Sequence, residues 1–174
     1  MVITRISDFG LKFTQGSLSV AVNPPVDKKS ADGGTFGADI TLLSAPALGF
    51  DSAEHFDNKG KGFVISGPGE YERDDLFIYG LASTTNYGSG GINTVYYFNL
   101  DSIDVLILGA HEPDALPNEI TELADNVDIL VVPIAGDSVM GPVAANKLST
   151  KLEAKVIIPI GATKETISKY LNVL

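Results

Sequence analysis

The sequence predicts an α+β domain in which two β-sheets are layered with helices, and three observations carry that prediction. The first hundred residues read as short strands separated by turns. After Asp101, nearly continuous apolar strands alternate with helical patterns. No linker long enough to split the chain lies between the two halves, so residues 1–174 read as one domain.

In the first half, VITRI, LKFT and LSVAV are brief β-branched or alternating runs, broken at Asp8–Gly10 and Gln15–Gly16. NPPVDKKSADGGTFG is a turn-rich loop, and ADITLLS reads as a buried strand. FVIS, GEYER and LFIYGLAS follow as strands, cornered by Gly67-Pro68-Gly69 and broken at Asp74-Asp75. TTNYGSGG reads as a flexible loop, and INTVYYFNL as a strand with one wetter face. Tyr96 and Tyr97 must then point to opposite faces, with at most one of them in the core. This half is expected to be antiparallel throughout.

In the second half, IDVLILGA, VDILVVPI and KVIIPI are apolar enough to be buried on both faces. NEITELADN, GPVAANKLSTKLE and KETISKYLNVL have helical spacing, and Thr163 is placed to cap the last of these.

Composition narrows the function. Twenty-two acids against twelve bases give a formal net charge of −10, which disfavours nucleic acid as a partner. No apolar run approaches the roughly 20 residues of a membrane span, and the N-terminus lacks a secretory pattern. A cytoplasmic location is the default expectation. The absence of cysteine excludes thiol catalysis and thiolate metal sites, and two histidines, His55 and His111, cannot make a histidine-rich site.

LSVAVNPP, FGADITLLS, FVISGPGEYE, GINTVYYF, VLILG, VDILVVPIAG and AANKLSTKLEAKVIIPI occur in an order and at separations with one family resemblance. From about Met1 to about Thr163 the chain resembles the small metallo-β-lactamase-fold hydrolases of bacteria and archaea. The resemblance implies a four-layer αββα sandwich with a metal site at one edge. Such a site holds one or two zinc-like ions through His-x-His-x-Asp-His and further His and Asp ligands, and lowers the pKa of a bound water from about 15.7 toward about 7.

Carried over by position, the resemblance places Ala45 and Ala47 at the first two histidines, Gly49 at the aspartate and Phe50 at the third histidine. Thr85 falls at the next histidine, Ala110 at the bridging aspartate and Gly161 at the last histidine. Asn23 replaces a strand-end aspartate. None of the seven ligand positions carries a metal-binding side chain, so no cofactor is expected. The resemblance thus implies the fold without the activity: a metal-free pseudoenzyme with a binding, assembly or scaffolding role. The vacated cleft is expected to hold an apolar group or to be plugged by Phe50.

Two alternatives remain open. A rearranged hydrolase site could use His55, His111, Glu112 and Asp114, an imidazole and carboxylate set suited to general base chemistry. The chain could also be an inactive regulatory subunit of an active homologue, or a homo-oligomer. The bland reading makes His111-Glu112-x-Asp114 a polar loop capping the next helix, and Glu54-His55 a solvated turn. Ser44 and Ser66 lack a visible base for nucleophilic work. Gly67, Pro68 and Gly69 read as a structural corner, with Glu70 tying down a backbone amide. Gly88–Gly91 is a weak anion cradle.

Overall fold

A computed structural model describes residues 1–25, 37–45, 62–87, 91–112, 116, 118–123, 127–136 and 138–173. The first sheet takes β1 (Val2–Arg5), β2 (Leu11–Gln15), β3 (Leu18–Val22), β4 (Ile40–Leu42) and β5 (Phe63–Ile65), side by side in that order. The second contains β6 (Gly69–Arg73), β7 (Leu76–Thr85), β8 (Gly91–Leu100), β9 (Ile103–Ile107), β10 (Ile129–Pro133) and β11 (Val156–Ile160), arranged β11-β10-β9-β8-β7-β6. Helices α1 (Asn118–Leu123), α2 (Pro142–Lys151) and α3 (Lys164–Leu171) complete the described elements.

The first sheet corrects one expectation. β1–β2 and β2–β3 are antiparallel, but β3, β4 and β5 run parallel. The physical reason is loop length: residues 23–39 and 43–62 are connections long enough for the crossover a parallel pair requires. The second sheet meanders antiparallel through β6–β9 and continues parallel through β10 and β11. β7 runs to Thr85, so the threonines expected in a loop belong to a strand.

The two sheets close on an apolar layer. Phe13, Val20, Ile40 and Leu42 from one side meet Ile78, Tyr96, Phe98, Val105 and Ile107 from the other. Phe13 and Phe98 pack edge to face with centroids 5.7 Å apart, a favoured aromatic geometry. Side chains of β8–β10 that point the other way, Val95, Leu106, Leu130 and Val132, pack under Ile120 of α1, Ala145 of α2 and Tyr170 of α3. Alternation thus assigns Tyr96 to the inter-sheet core and Tyr97 to the helical side. The second helical layer of the four-layer expectation is not among the described residues.

Thr163 caps α3 as its position foretold. Its hydroxyl accepts from the Thr166 amide at 3.2 Å, and the Thr163 amide donates to the Thr166 hydroxyl at 2.9 Å. At the opposite rim of the second sheet, Asp128 accepts from the Asp104 amide at 2.8 Å and from Lys155 at 2.6 Å, stitching the starts of β9, β10 and β11. The Lys155 ammonium and that amide together hold the Asp128 carboxyl below the ordinary range.

Candidate functional site

The parallel strands β3–β4 and β9–β11 end at one rim of the sandwich, and a buried polar network fixes their exits. Asn23, just after β3, adopts φ 44°, a left-handed conformation that asparagine tolerates better than most residues. Its side chain donates to the Ser44 hydroxyl at 2.9 Å and accepts from the Ser44 amide at 2.8 Å. A carboxylate at this position has no N–H to give, so the reciprocal pair uses the amide's two-sided chemistry.

Ser44 is buried in this pairing and is a structural hydroxyl, whereas Ser66 is exposed. The Ser44 carbonyl accepts from the Thr94 amide at 2.7 Å and so joins the two sheets. Asn93, fully buried in β8, donates to Ser83 and to the Leu108 carbonyl at 2.8 Å each, and accepts from the Ala110 amide at 2.9 Å. Gly109 packs between these groups at φ 64°. A Cβ there would lie 2.5 Å from Ser44 Cβ and 2.6 Å from Asn93 Oδ1, so only glycine fits.

This scaffold presents an apolar cluster. Ala45, Ala110 and Val139 are buried together, with Tyr87 and Ala135 packed against them. Phe9 stacks against Tyr87 at a tilt, centroids 5.5 Å apart. The Gly161 amide donates to the Asp8 carbonyl at 2.7 Å, which fastens the β1–β2 turn to the end of β11. That bond delivers Phe9 to Gly161. A Cβ on residue 161 would meet the Phe9 ring at 2.5, 2.9 and 3.0 Å, so the ring occupies the space that a side chain there would need.

Of the seven positions carried over from the resemblance, Ala45 and Ala110 are therefore in one cluster, and Gly161 joins it through Phe9 and Tyr87. Thr85 is buried, and its hydroxyl accepts from the Tyr87 amide at 3.1 Å, within its own turn. Ala47, Gly49 and Phe50 lie outside the described residues, as do His55, Glu54 and Asp114. The ring seen beside Gly161 is that of Phe9, a residue in a turn that sequence reading treated only as a break between strands. An aromatic at the tip of a tight turn was the available signal, because such a side chain is solvated unless it docks on another element.

The polar alternative is only partly described. His111 is buried, with its carbonyl accepting from the Met140 amide at 2.9 Å. Glu112 accepts from the Asn86 side-chain amide, and its own amide donates to the Thr84 carbonyl at 3.4 Å. The loop expected to cap α1 runs through residues 113–115 and 117, which lie outside the described residues. Packing takes the imidazole inside, and Glu112 ties the exit of β9 to the end of β7. Among the described residues, no three His, Cys, Asp or Glu side chains converge as a metal ion would require.

Among the described residues, those at the carried-over positions in the apolar cluster and beside Phe9 offer no donor to a zinc-like ion. Zinc needs nitrogen, sulfur or oxygen ligands, whereas Ala45 and Ala110 offer methyl groups and Gly161 faces a phenyl ring.

Two mixed sheets face to face, with helices on the outer side of one and the parallel strands ending at a shared rim, define a metallo-β-lactamase-type sandwich. The sequence matches the beta-lactamase superfamily domain over residues 7–161, and the chain belongs to that superfamily. Solved structures agree on the fold. One from Thermotoga maritima, inferred to be a zinc-dependent hydrolase of the metallo-beta-lactamase superfamily, is 23% identical with a TM-score of 0.73, over 99% of this chain and 84% of that one. An inferred metal-dependent hydrolase from Parabacteroides distasonis is 22% identical with a TM-score of 0.68, over 99% and 87%. The metallo-beta-lactamase fold protein YhfI from Bacillus subtilis is 12% identical with a TM-score of 0.67, over 95% and 83%. No curated protein matches the sequence. Among the described residues no helix is long and apolar enough to cross a membrane.

Proposed function

We propose that this chain is a non-catalytic member of its superfamily, a pseudoenzyme retained for binding or assembly, with Ala45, Ala47, Gly49, Phe50, Thr85, Ala110 and Gly161 at the former ligand positions. The observation that carries the reading is the Phe9 ring, which fills the space a ligand side chain on residue 161 would enter. Ala45, Ala110 and Val139 support it, because their buried packing leaves an apolar surface where metal chemistry needs donors and water.

The test is the metal content of protein purified without chelator, alongside phosphodiester and ester hydrolysis with zinc, manganese or iron added. The expected outcome is substoichiometric metal and no turnover above buffer in any condition. Stoichiometric metal that disappears in His111→Ala would overturn the reading in favour of a rearranged hydrolase site. An assembly role predicts a self-associated or partner-bound species by light scattering of the native protein. A regulatory subunit predicts co-purification with an active homologue.

A further inference from the structure

A pocket opens between β6–β7 of the second sheet and α1. Its volume is about 470 Å³, and its lining includes Glu70, Tyr79 and Leu81 of β6–β7 and Glu119 and Glu122 of α1. That volume lies within the usual range for small-molecule sites. Strand pairing sets Glu70 opposite Tyr79 and Glu72 opposite Phe77, so two carboxylates and two aromatic rings share one face. A smaller recess beside Glu70, Glu72, Phe77 and Tyr79 extends the pocket along β6. Phe77 is 55% exposed, and Tyr79 leans on Tyr97 with ring centroids 6.2 Å apart.

Glu70 was expected to bind a backbone amide, yet it is exposed and lines this pocket. Among the described residues, Glu70, Glu72, Glu119 and Glu122 make no ion pair with any lysine or arginine, and no basic side chain lines either recess. The carboxylates are also too dispersed to share one metal ion. Separated negative charges around an apolar and aromatic floor complement a ligand whose positive charges are likewise separated by aliphatic chain. In such a ligand the ammonium groups would pair with the carboxylates, the methylenes would lie on Leu81 and Phe77, and a ring face of Tyr79 would receive a cation.

We propose that this pocket is a binding site for a linear organic polycation, an aliphatic chain carrying two or more ammonium groups. The site lies on the helical side of the second sheet and does not depend on the reading of the strand-end cluster.

Titration calorimetry of the intact protein with spermidine, at low and at physiological salt, tests it against n-butylamine and magnesium. Saturable 1:1 binding of spermidine is expected, with butylamine and magnesium at least tenfold weaker. Glu119→Gln with Glu122→Gln should weaken spermidine by about three- to fivefold per carboxylate, the upper end for exposed ion pairs. Tyr79→Leu should weaken it about threefold through the lost ring face. The remote pair Glu153→Gln with Glu165→Gln removes equal charge elsewhere and should leave affinity within twofold. All these substitutions except Tyr79→Leu are at exposed positions, so folding is preserved, and circular dichroism verifies it for each. Equal binding of magnesium, an equal loss in the remote pair, or binding of an oligolysine peptide without spermidine would each overturn the proposal.

Discussion

Gly161→Ala, alone and with Phe9→Ala, probes the contact on which the functional reading depends. Gly161 has φ +62°, a conformation that costs an alanine about 1–2 kcal/mol. The added Cβ would also lie 2.5 Å from Phe9 Cζ and 2.9 Å from its Cε1. Relieving such overpacking typically costs about 1–3 kcal/mol. The single substitution should therefore destabilise by about 2–5 kcal/mol. Phe9→Ala removes a half-buried ring and should cost about 1–3 kcal/mol, below the full burial range because part of the ring meets solvent.

In the double variant the overlap no longer exists, and only the backbone term persists with the lost ring. The two changes should thus be less than additive by about 1–3 kcal/mol. Urea unfolding of the four proteins, followed by circular dichroism, measures this coupling directly. Additivity within about 0.5 kcal/mol would mean that the ring swings aside without cost. Phe9 would then not occupy the position, and the observation carrying the non-catalytic reading would fail.

Two further outcomes are expected. Tyr96→Phe removes the donor to the Leu43 carbonyl (2.9 Å), while the nearby Ile65 carbonyl keeps its bond from the Leu43 amide. One buried acceptor is left unsatisfied, at about 1–3 kcal/mol, and calorimetry should show Tm falling by roughly 2–12 °C; an unchanged Tm would refute the tie. Asp128 has its folded pKa depressed, chiefly by Lys155, so its contribution is present above the unfolded value and is lost as pH falls through the folded one. Tm measured from pH 7 to pH 2 should accordingly show an acid decline that Asp128→Asn makes shallower, and parallel curves would contradict it.

Most of the fold was legible because its signals are local and mutually consistent. The apolar runs of β9, β10 and β11, the alternation in β8 and the Thr163 cap each follow from a few neighbouring residues. Strand direction in the first sheet was not legible in the same way. Whether β4 runs with or against β3 depends on where a long connection crosses, and no local periodicity encodes that. At the candidate site, Ala45 and Ala110 were found through positional resemblance, but Phe9 was not. Its role comes from the Gly161–Asp8 bond across most of the chain, a contact that neither residue advertises.

The buried network beneath the cluster bears on why the chain keeps this rim so well ordered. Asn23, Ser44, Asn93 and Gly109 fix the exits of β3, β4 and β9 through reciprocal bonds and a close approach, and none of them faces solvent. Such order is what a catalytic centre requires of its support, since ligands must be held within a fraction of an ångström. Here the same support carries methyl groups and two aromatic rings. The Ser44 carbonyl and Thr94 amide also couple the two sheets at this rim, so loosening the network would loosen the sandwich itself. The framework therefore serves the stability of the sandwich independently of which side chains stand at the carried-over positions. That separation is what the proposed non-catalytic reading requires of the fold: the supporting bonds are part of the core, and the side chains they carry can change without unmaking it.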